Sequence, residues 1–515
     1  MGYEADLPFK ERTNSKSCRS RKHVMATSQN SSRAPVGARW IAAQNLGKQM
    51  IDLAVFLILA KLLSPVEFGI VAMAGSLVVL VNVVSELGLG DAILQRQELD
   101  LEHLDTAFWT GISSAGLCAL IVYLLAPWIA ALYGQAEVTD ILRALTPLFI
   151  FQGLTAVPQS VMQRTFQFRQ LALRSLVGTL VGGTVGLVCA HQGAGPWSLV
   201  AQQLTAGAIG VVGLWCFSKW RPRRRWALAK ASELLAFGRS VLGARVLNVA
   251  ASKLDDLIVG LFLGPVALGV YSVACRMLLA LEQLFCQGID AIALAAFSRA
   301  ATDIPEIQRL FQAATRAAAV LAAPVFCGVA ILAPELIRAT LGERWIVSAP
   351  VLQILLIAGF IHALMHFNHA IFKACNQPNL SLRIAAYSTA LNLVTLLIAV
   401  RFGVVAVAIS YLVRSALIAP LGLVMAIRLI QLQLKLYLRA LVQPVAAIIV
   451  AALSVEALKT WAWPNQSNWS MILASGFSGL AIYLTWLRIF EPGAITAALG
   501  RSRKPILESE QETFE

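Results

Sequence analysis

An all-α polytopic membrane protein is the fold class this sequence predicts, and three observations predict it. Of 515 residues, 58% are hydrophobic and 14% charged, with a mean hydropathy of +0.70. Soluble domains run at roughly 45–50% and roughly 25%. The apolar residues gather into fourteen runs, each long enough for the ~20-residue helix that crosses a bilayer. The loops between the runs alternate between basic and nearly charge-free. This composition excludes a disordered chain, a disulfide scaffold and an ordinary soluble enzyme.

Residues 1–39 are polar and hold eight Lys or Arg, with no apolar core before Trp40. A cleavable signal peptide needs an apolar stretch of ~7–15 residues close behind its charges. Here the first apolar run continues into a full span and reads as an uncleaved helix, with the leading residues a disordered basic extension and Met25 an alternative start. The spans follow at 40–63, 68–94, 107–127, 141–163, 172–192, 196–217, 234–261, 266–292, 310–333, 348–372, 380–400, 404–428, 438–458 and 470–490. Each must be helical, because lipid offers its backbone groups no partners. Connections are short, the longest lying near 218–233 and 293–309, so no extramembrane catalytic domain fits. The organisation expected is an N-lobe at 40–217 (spans 1–6), a basic linker at 218–233 and a C-lobe at 234–430 (spans 7–12). Two further helices at 431–491 and a tail at 492–515 complete the chain.

With the amino terminus in the cytoplasm, the cytoplasmic segments carry 30 of the 42 Lys and Arg and the opposite loops carry 6. The excess of basic residues marks the cytoplasmic side, so both termini are expected there. All twelve Trp fall at span ends or in loops, as an interfacial belt requires. The formal net charge of +14 raises the question of nucleic acid. The densest cluster, Lys219, Arg221, Arg223, Arg224, Arg225 and Lys230, has no aromatic stacking module beside it. It reads as an anchor for anionic lipid headgroups. The eight Cys show no metal-ligand spacing and sit mostly in apolar runs, so they read as small hydrophobes.

An internal repeat divides the chain. LLSPVEFGIVA (62–72) aligns with FLGPVALGVYS (262–272), matching Pro65 to Pro265 and Gly69 to Gly269. Each joins one span to the next, and six spans separate them, so the repeat is parallel. Repeats of this kind mark transporters, with the substrate site expected between the lobes.

Six basic residues lie within spans: Lys48, Arg239, Arg245, Lys253, Arg276 and Arg414. The acidic ones are Asp52, Glu86, Asp91, Asp255, Asp256, Glu282 and Asp290. A charge at the bilayer centre costs on the order of 2.5–3.5 kcal/mol, so such groups pair or face a cavity. Lys48 and Asp52 are four apart and Lys253 and Asp256 three apart, spacings that allow pairing on one helix face. Arg276 and Arg414 have no acid at helical spacing. His362, His366 and His369 share one face of span ten. With no acid beside them in sequence they read as a polar cavity lining and proton-coupling candidates, and not as a metal site. Pro147, Pro158, Pro324 and Pro420 mark candidate bends.

Several blocks resemble the Wzx-type (WzxC-like) polysaccharide flippases of the multidrug/oligosaccharidyl-lipid/polysaccharide exporter superfamily. They are LAKLLSPVEFGIVAM (59–73), ELGLGDAILQR (86–96), FWTGI (108–112), GAGPWSLVAQQL (193–204), LDDLIVGLFLGPVALGVYSVACRM (254–277) and LGERWIVSAPVLQIL (341–355). Asp91 stands where many members have a small residue. The resemblance implies a non-enzymatic transporter of the bacterial inner membrane that needs no cofactor. It would flip an undecaprenyl-diphosphate-linked oligosaccharide by alternating access, serving O-antigen, capsule or exopolysaccharide synthesis. Its partners would be that lipid-linked substrate, membrane lipids and export components such as a polysaccharide polymerase, with no nucleic acid. The sequence has no GxxxxGK[ST] loop for nucleotide phosphates, which fits energy from an ion or proton gradient.

An anionic diphosphate head needs cationic donors, and Arg binds phosphate bidentately. Arg245, Lys253, Arg276 and Arg414 are therefore the expected phosphate path. Asp52, Glu86, Asp255, Asp256, His362, His366 and His369 are the expected coupling residues. The alternatives are another exporter of the superfamily, for lipid II or for drugs or metabolites, and a membrane polymerase or ligase. Cationic drugs would favour an acidic cavity, and a polymerase or ligase needs a larger external loop than 334–347.

Overall fold

The computed structural model describes residues 40, 44–96, 100–286, 293, 296–301, 303–462 and 469–490. The extension 1–39, the tail 492–515 and Asp290 lie outside the described residues, as does the Arg239 side chain. The described residues are mostly helical, with no strand among them. Two compact units emerge, Met1–Ser272 and Val273–Glu515.

The first unit begins with α1 (44–62). There follow α2 (Pro65–Glu86), α3 (Leu89–Gln95), α4 (Leu101–Tyr133), α5 (Glu137–Leu145), α6 (Pro147–Arg164), α7 (Phe168–His191) and α8 (Trp197–Phe217). The long α9 (Leu228–Cys286) starts in this unit and ends in the second. Between α1 and α2 the chain breaks at Ser64. Ser64 and Glu67 form a capping box, the Ser64 backbone N–H donating to Glu67 Oε2 at 2.6 Å. Pro65 occupies the first helical turn, where its missing N–H costs nothing. The repeat partner of this turn sits inside α9, where Gly264 takes φ 80° and ψ −175° just before Pro265. That left-handed backbone suits Gly, and it ends one span and starts another.

These two turns touch. A Cβ on Gly69 would lie 1.8 Å from the Pro265 carbonyl oxygen, and one on Gly269 would lie 1.9 Å from that of Pro65. Each glycine of the repeat therefore admits the backbone of the other copy. Small residues permit the same closeness between α7 and α8, where Gly182 and Gly186 face Gln202 and Ala206.

The linker 218–227 is not a loose connection. Its Arg223 N–H donates to Asp105 Oδ1 at 3.1 Å, and the Trp109 indole N–H donates to the Arg223 carbonyl at 2.9 Å. Trp220 is buried edge-on against Phe108, ring centres 5.5 Å apart. Arg96 and His103 both reach Glu233 at the start of α9, and the Arg96 guanidinium holds the Glu233 carboxyl below the usual range.

The second unit contains α10 (Ile304–Ile331). After it come α11 (Ala333–Thr340), α12 (Ser348–Ala374), α13 (Pro378–Ala399), α14 (Val404–Leu429), α15 (Leu434–Ala462) and α16 (Trp469–Phe490). Pro324 lies in a π-turn, Ala323–Cys327, within α10. A proline removes one backbone donor and loosens the ladder there. Phe297, Phe311, Phe367 and Tyr437 build one core cluster. The last two helices pack on α10 through an apolar cluster that includes Val320, Ala323, Ile448 and Leu487, and polar contacts add to it. Lys459, only 7% exposed, binds Glu335 at 2.9 Å and the Ile331 carbonyl at 2.8 Å, and the Tyr483 hydroxyl donates to the Val320 carbonyl at 2.9 Å.

Among the described residues twelve helical stretches are long and apolar enough to cross a membrane, against fourteen read from the sequence. The difference has two sources. The first span carries Lys48, Asp52 and Lys61 within α1, and spans seven and eight form one continuous stretch, Arg245–Gln283, bent at Gly264. Outward faces stay apolar, as at the exposed Leu117, Leu120, Leu124 and Trp128 of α4, where a soluble helix would carry polar residues.

The glycine contact predicts a contrast in stability. Gly69→Ala and Gly269→Ala should each lose ~1–3 kcal/mol through overpacking against backbone. Gly75→Ala, where nothing lies within 4 Å, should gain roughly 0.5–1 kcal/mol from helix propensity. Thermal unfolding of the purified protein in detergent measures all three.

Candidate functional site

The second unit holds a cavity of about 500 Å³ walled by α12, α13, α14 and the end of α9. Four of the expected site residues line it: His362, His366 and His369 from α12 and Arg414 from α14. Their helical spacing places the histidines on one wall. Glu282, Gln283, Asn368, Ser388 and Ser415 complete the polar lining, and Leu279, Ile361, Ile384 and Ile418 are among the apolar residues around them.

Arg414 is the cation of this cavity. One guanidinium nitrogen reaches Ser388 Oγ at 3.4 Å, and the guanidinium carbon lies 4.4 Å from the centre of the Tyr411 ring. Among the described residues no carboxylate lies within ion-pair distance of it, and its Nε is buried without a hydrogen-bond partner. Asn368, 3% exposed, gives its Nδ2 to Met365 Sδ at 3.2 Å and leaves its Oδ1 buried with no partner.

His362 is held from both sides. Its Nδ1 lies 3.1 Å from Glu282 Oε1 and its Nε2 3.0 Å from Ser415 Oγ. Sequence spacing put no acid beside the histidines; the fold brings Glu282 there from 80 positions away. His369 Nδ1 lies 3.3 Å from Ser381 Oγ. Among the described residues no three His, Cys, Asp or Glu side chains are grouped to hold a metal ion. The lining combines one fixed cation, a carboxylate, three imidazoles and neutral donors. It suits a hydrated anion with several acceptor oxygens.

The remaining expected residues lie elsewhere. Arg245 bonds Glu86 at 3.0 Å and reaches Asp91 at 3.4 Å. Asp91, unusual beside the flippase pattern, therefore supplies a second carboxylate to that cation. Lys253 pairs with Asp256 at 2.8 Å and Lys48 with Asp52 at 2.7 Å, as the helical spacings allow. The Tyr271 hydroxyl donates to Asp255 at 3.0 Å. Arg276 is exposed on α9 and does not line the cavity. Glu282, Asn368, Tyr411 and Ser415 are site residues that spacing did not single out. Only the rarity of acids within spans pointed at Glu282.

Residues 58–350 match the protein family described as polysaccharide biosynthesis protein. The teichuronic acid biosynthesis protein TuaB of Bacillus subtilis (strain 168) is 24% identical over 425 residues, 82% of this chain and 87% of TuaB. The succinoglycan biosynthesis transport protein ExoT of Rhizobium meliloti (strain 1021) is 27% identical over 316 residues, 61% of this chain and 64% of ExoT. Among solved structures, the lipid II flippase MurJ in an inward closed conformation matches with a TM-score of 0.71 at 14% identity, covering 89% of this chain and 99% of that one. This likeness shows a shared fold.

The Arg245 contacts predict a small, measurable coupling. The Arg245 side chain is 44% exposed, and exposed pairs contribute about 0.2–1 kcal/mol. A double-mutant cycle of Arg245→Met and Glu86→Gln, followed by unfolding in detergent, should return a coupling in that range.

Proposed function

The chain belongs to the family of polysaccharide biosynthesis proteins, and on that premise we propose that it flips an undecaprenyl-diphosphate-linked oligosaccharide across the bacterial inner membrane. It acts by alternating access, as a transporter and not an enzyme, with an ion or proton gradient in place of nucleotide. ExoT, named as a transport protein, supports this class of activity. Both termini lie in the cytoplasm, where the basic linker meets anionic headgroups. The working partners are the lipid-linked substrate, the surrounding lipids and a polymerase that consumes the flipped unit.

The observation that carries the reading is Arg414. It stands in a cavity without a carboxylate partner among the described residues, with one donor unused. A diphosphate supplies the missing acceptors, and the neutral donors and imidazoles suit hydrated sugar. Arg245 and Lys253 belong to the phosphate path in a different sense. A diphosphate reaches them only by displacing Glu86 and Asp91, or Asp256, so their contribution is weaker. A cationic drug would meet Arg414 as a like charge, which disfavours that cargo.

In cells whose polysaccharide depends on this chain, Arg414→Ala should cut export at least ~10-fold, about 1.4 kcal/mol of lost transition-state binding, at unchanged protein abundance. Arg414→Lys should restore part of it, because Lys keeps the charge but not the two-pronged geometry. Wild-type export by Arg414→Ala would overturn the assignment. For topology, Arg224→Cys in a Cys18→Ser, Cys216→Ser background should react with an impermeant maleimide only after the inner membrane is opened.

A further inference from the structure

We propose that Glu282, His362 and Ser415 form a proton-binding site beside Arg414, and that the diphosphate head and one proton bind the cavity together. The proposal rests on the assignment of this cavity to an anionic diphosphate head.

The hydrogen-bond geometry admits two states with the same heavy-atom positions. Ser415 Oγ lies 3.0 Å from His362 Nε2 and 2.8 Å from the Tyr411 carbonyl oxygen, one turn back on α14. A serine hydroxyl has one hydrogen to donate. In the first state the imidazole is neutral. Its Nδ1–H donates to the Glu282 carboxylate, and the Ser415 hydroxyl donates to Nε2. In the second state both ring nitrogens carry hydrogen. Nδ1–H still donates to Glu282, Nε2–H now donates to Ser415 Oγ, and the hydroxyl swings to the Tyr411 carbonyl. One added proton and one rotation about a C–O bond interconvert them, and every donor keeps an acceptor.

The two states differ in what an anion meets. With His362 neutral, Glu282 cancels Arg414, and these three groups sum to zero formal charge. With His362 protonated, Glu282 is neutralised by the imidazolium and Arg414 stands uncompensated. The Tyr411 ring links the two, its centre 5.6 Å from the His362 ring centre and 4.4 Å from the Arg414 guanidinium carbon. The other titratable or charged groups facing the site are His366 and His369 on α12 and Tyr411 on α14. The lining residues of α13 carry no charge. Proton and head therefore bind cooperatively, and affinity rises as pH falls. A head that leaves with its proton still carries net negative charge, so in this cycle the inside-negative membrane potential, and not the pH gradient, draws it outward.

The test is calorimetric binding of glucosyl farnesyl diphosphate, a diester whose diphosphate does not titrate near neutrality, to the full chain in detergent, across pH and in two buffers of different ionisation enthalpy. Wild type should take up about one proton per head bound, with affinity falling by up to about tenfold per pH unit as the site deprotonates. His362→Gln should lose that uptake. Glu282→Gln should bind at alkaline pH as tightly as wild type does at acidic pH, because Arg414 is then never cancelled; a merely structural role for Glu282 predicts weaker binding at every pH. Binding by wild type without proton uptake overturns the proposal. Uptake that persists in His362→Gln places the proton on His366 or His369 and also overturns it. Failure of wild type to bind glucosyl farnesyl diphosphate at any pH overturns the assignment of the cavity to a diphosphate.

Discussion

A bilayer interior gives neither a backbone amide nor a charge anything to bind, and both the fold and the site follow from that constraint. It makes every spanning segment helical. It also sorts the charges within the spans into those answered by another side chain and those that face a cavity. Lys48, Lys253 and Arg245 each have a carboxylate at hand. Arg414 has only hydroxyl and ring contacts among the described residues, and it lines the cavity.

Because lipid is as apolar as leucine, helices in it associate through close packing and through polar contacts. Both devices appear here. Close packing holds the first unit, where Gly69 and Gly269 let two helix starts meet at their backbones and glycines line the α7–α8 seam. In the second, polar contacts join apolar packing, and Lys459 and Tyr483 tie α15 and α16 to α10 and α11. A buried ion pair such as Lys459–Glu335 adds little net stability against an apolar replacement, but removing one partner strands a charge. It therefore fixes where the last two helices dock.

The same economy explains the cavity. Three imidazoles at helical spacing on one wall read as a polar cavity lining and not as a metal site. In the fold one of them is spoken for by Glu282 and Ser415, and Arg414, one position before Ser415 on the neighbouring α14, gives the lining its fixed positive charge. Arg414 and His362 share the Tyr411 ring, so a change of charge at one is felt at the other. On the proposal made above, this lets the cavity respond to protons without any movement of its backbone.

The sequence by itself determined the class of fold, because hydropathy and span length are local properties and lipid allows no other secondary structure. It determined the short-range pairs, Lys48 with Asp52 and Lys253 with Asp256, because three or four residues make one helical turn. It also marked Pro65, Gly69, Pro265 and Gly269 as a repeat, and through its motifs it pointed to the family. Only the tertiary structure decided that the two halves of that repeat touch each other. Only it decided that Arg245 is answered by Glu86 and Asp91, 159 and more than 150 positions away, that Lys459 of α15 reaches Glu335, and that Glu282 and Ser415 flank His362. Contacts between helices distant in the chain depend on which faces pack together, and the uniform apolarity that identifies a spanning helix leaves that choice almost unmarked.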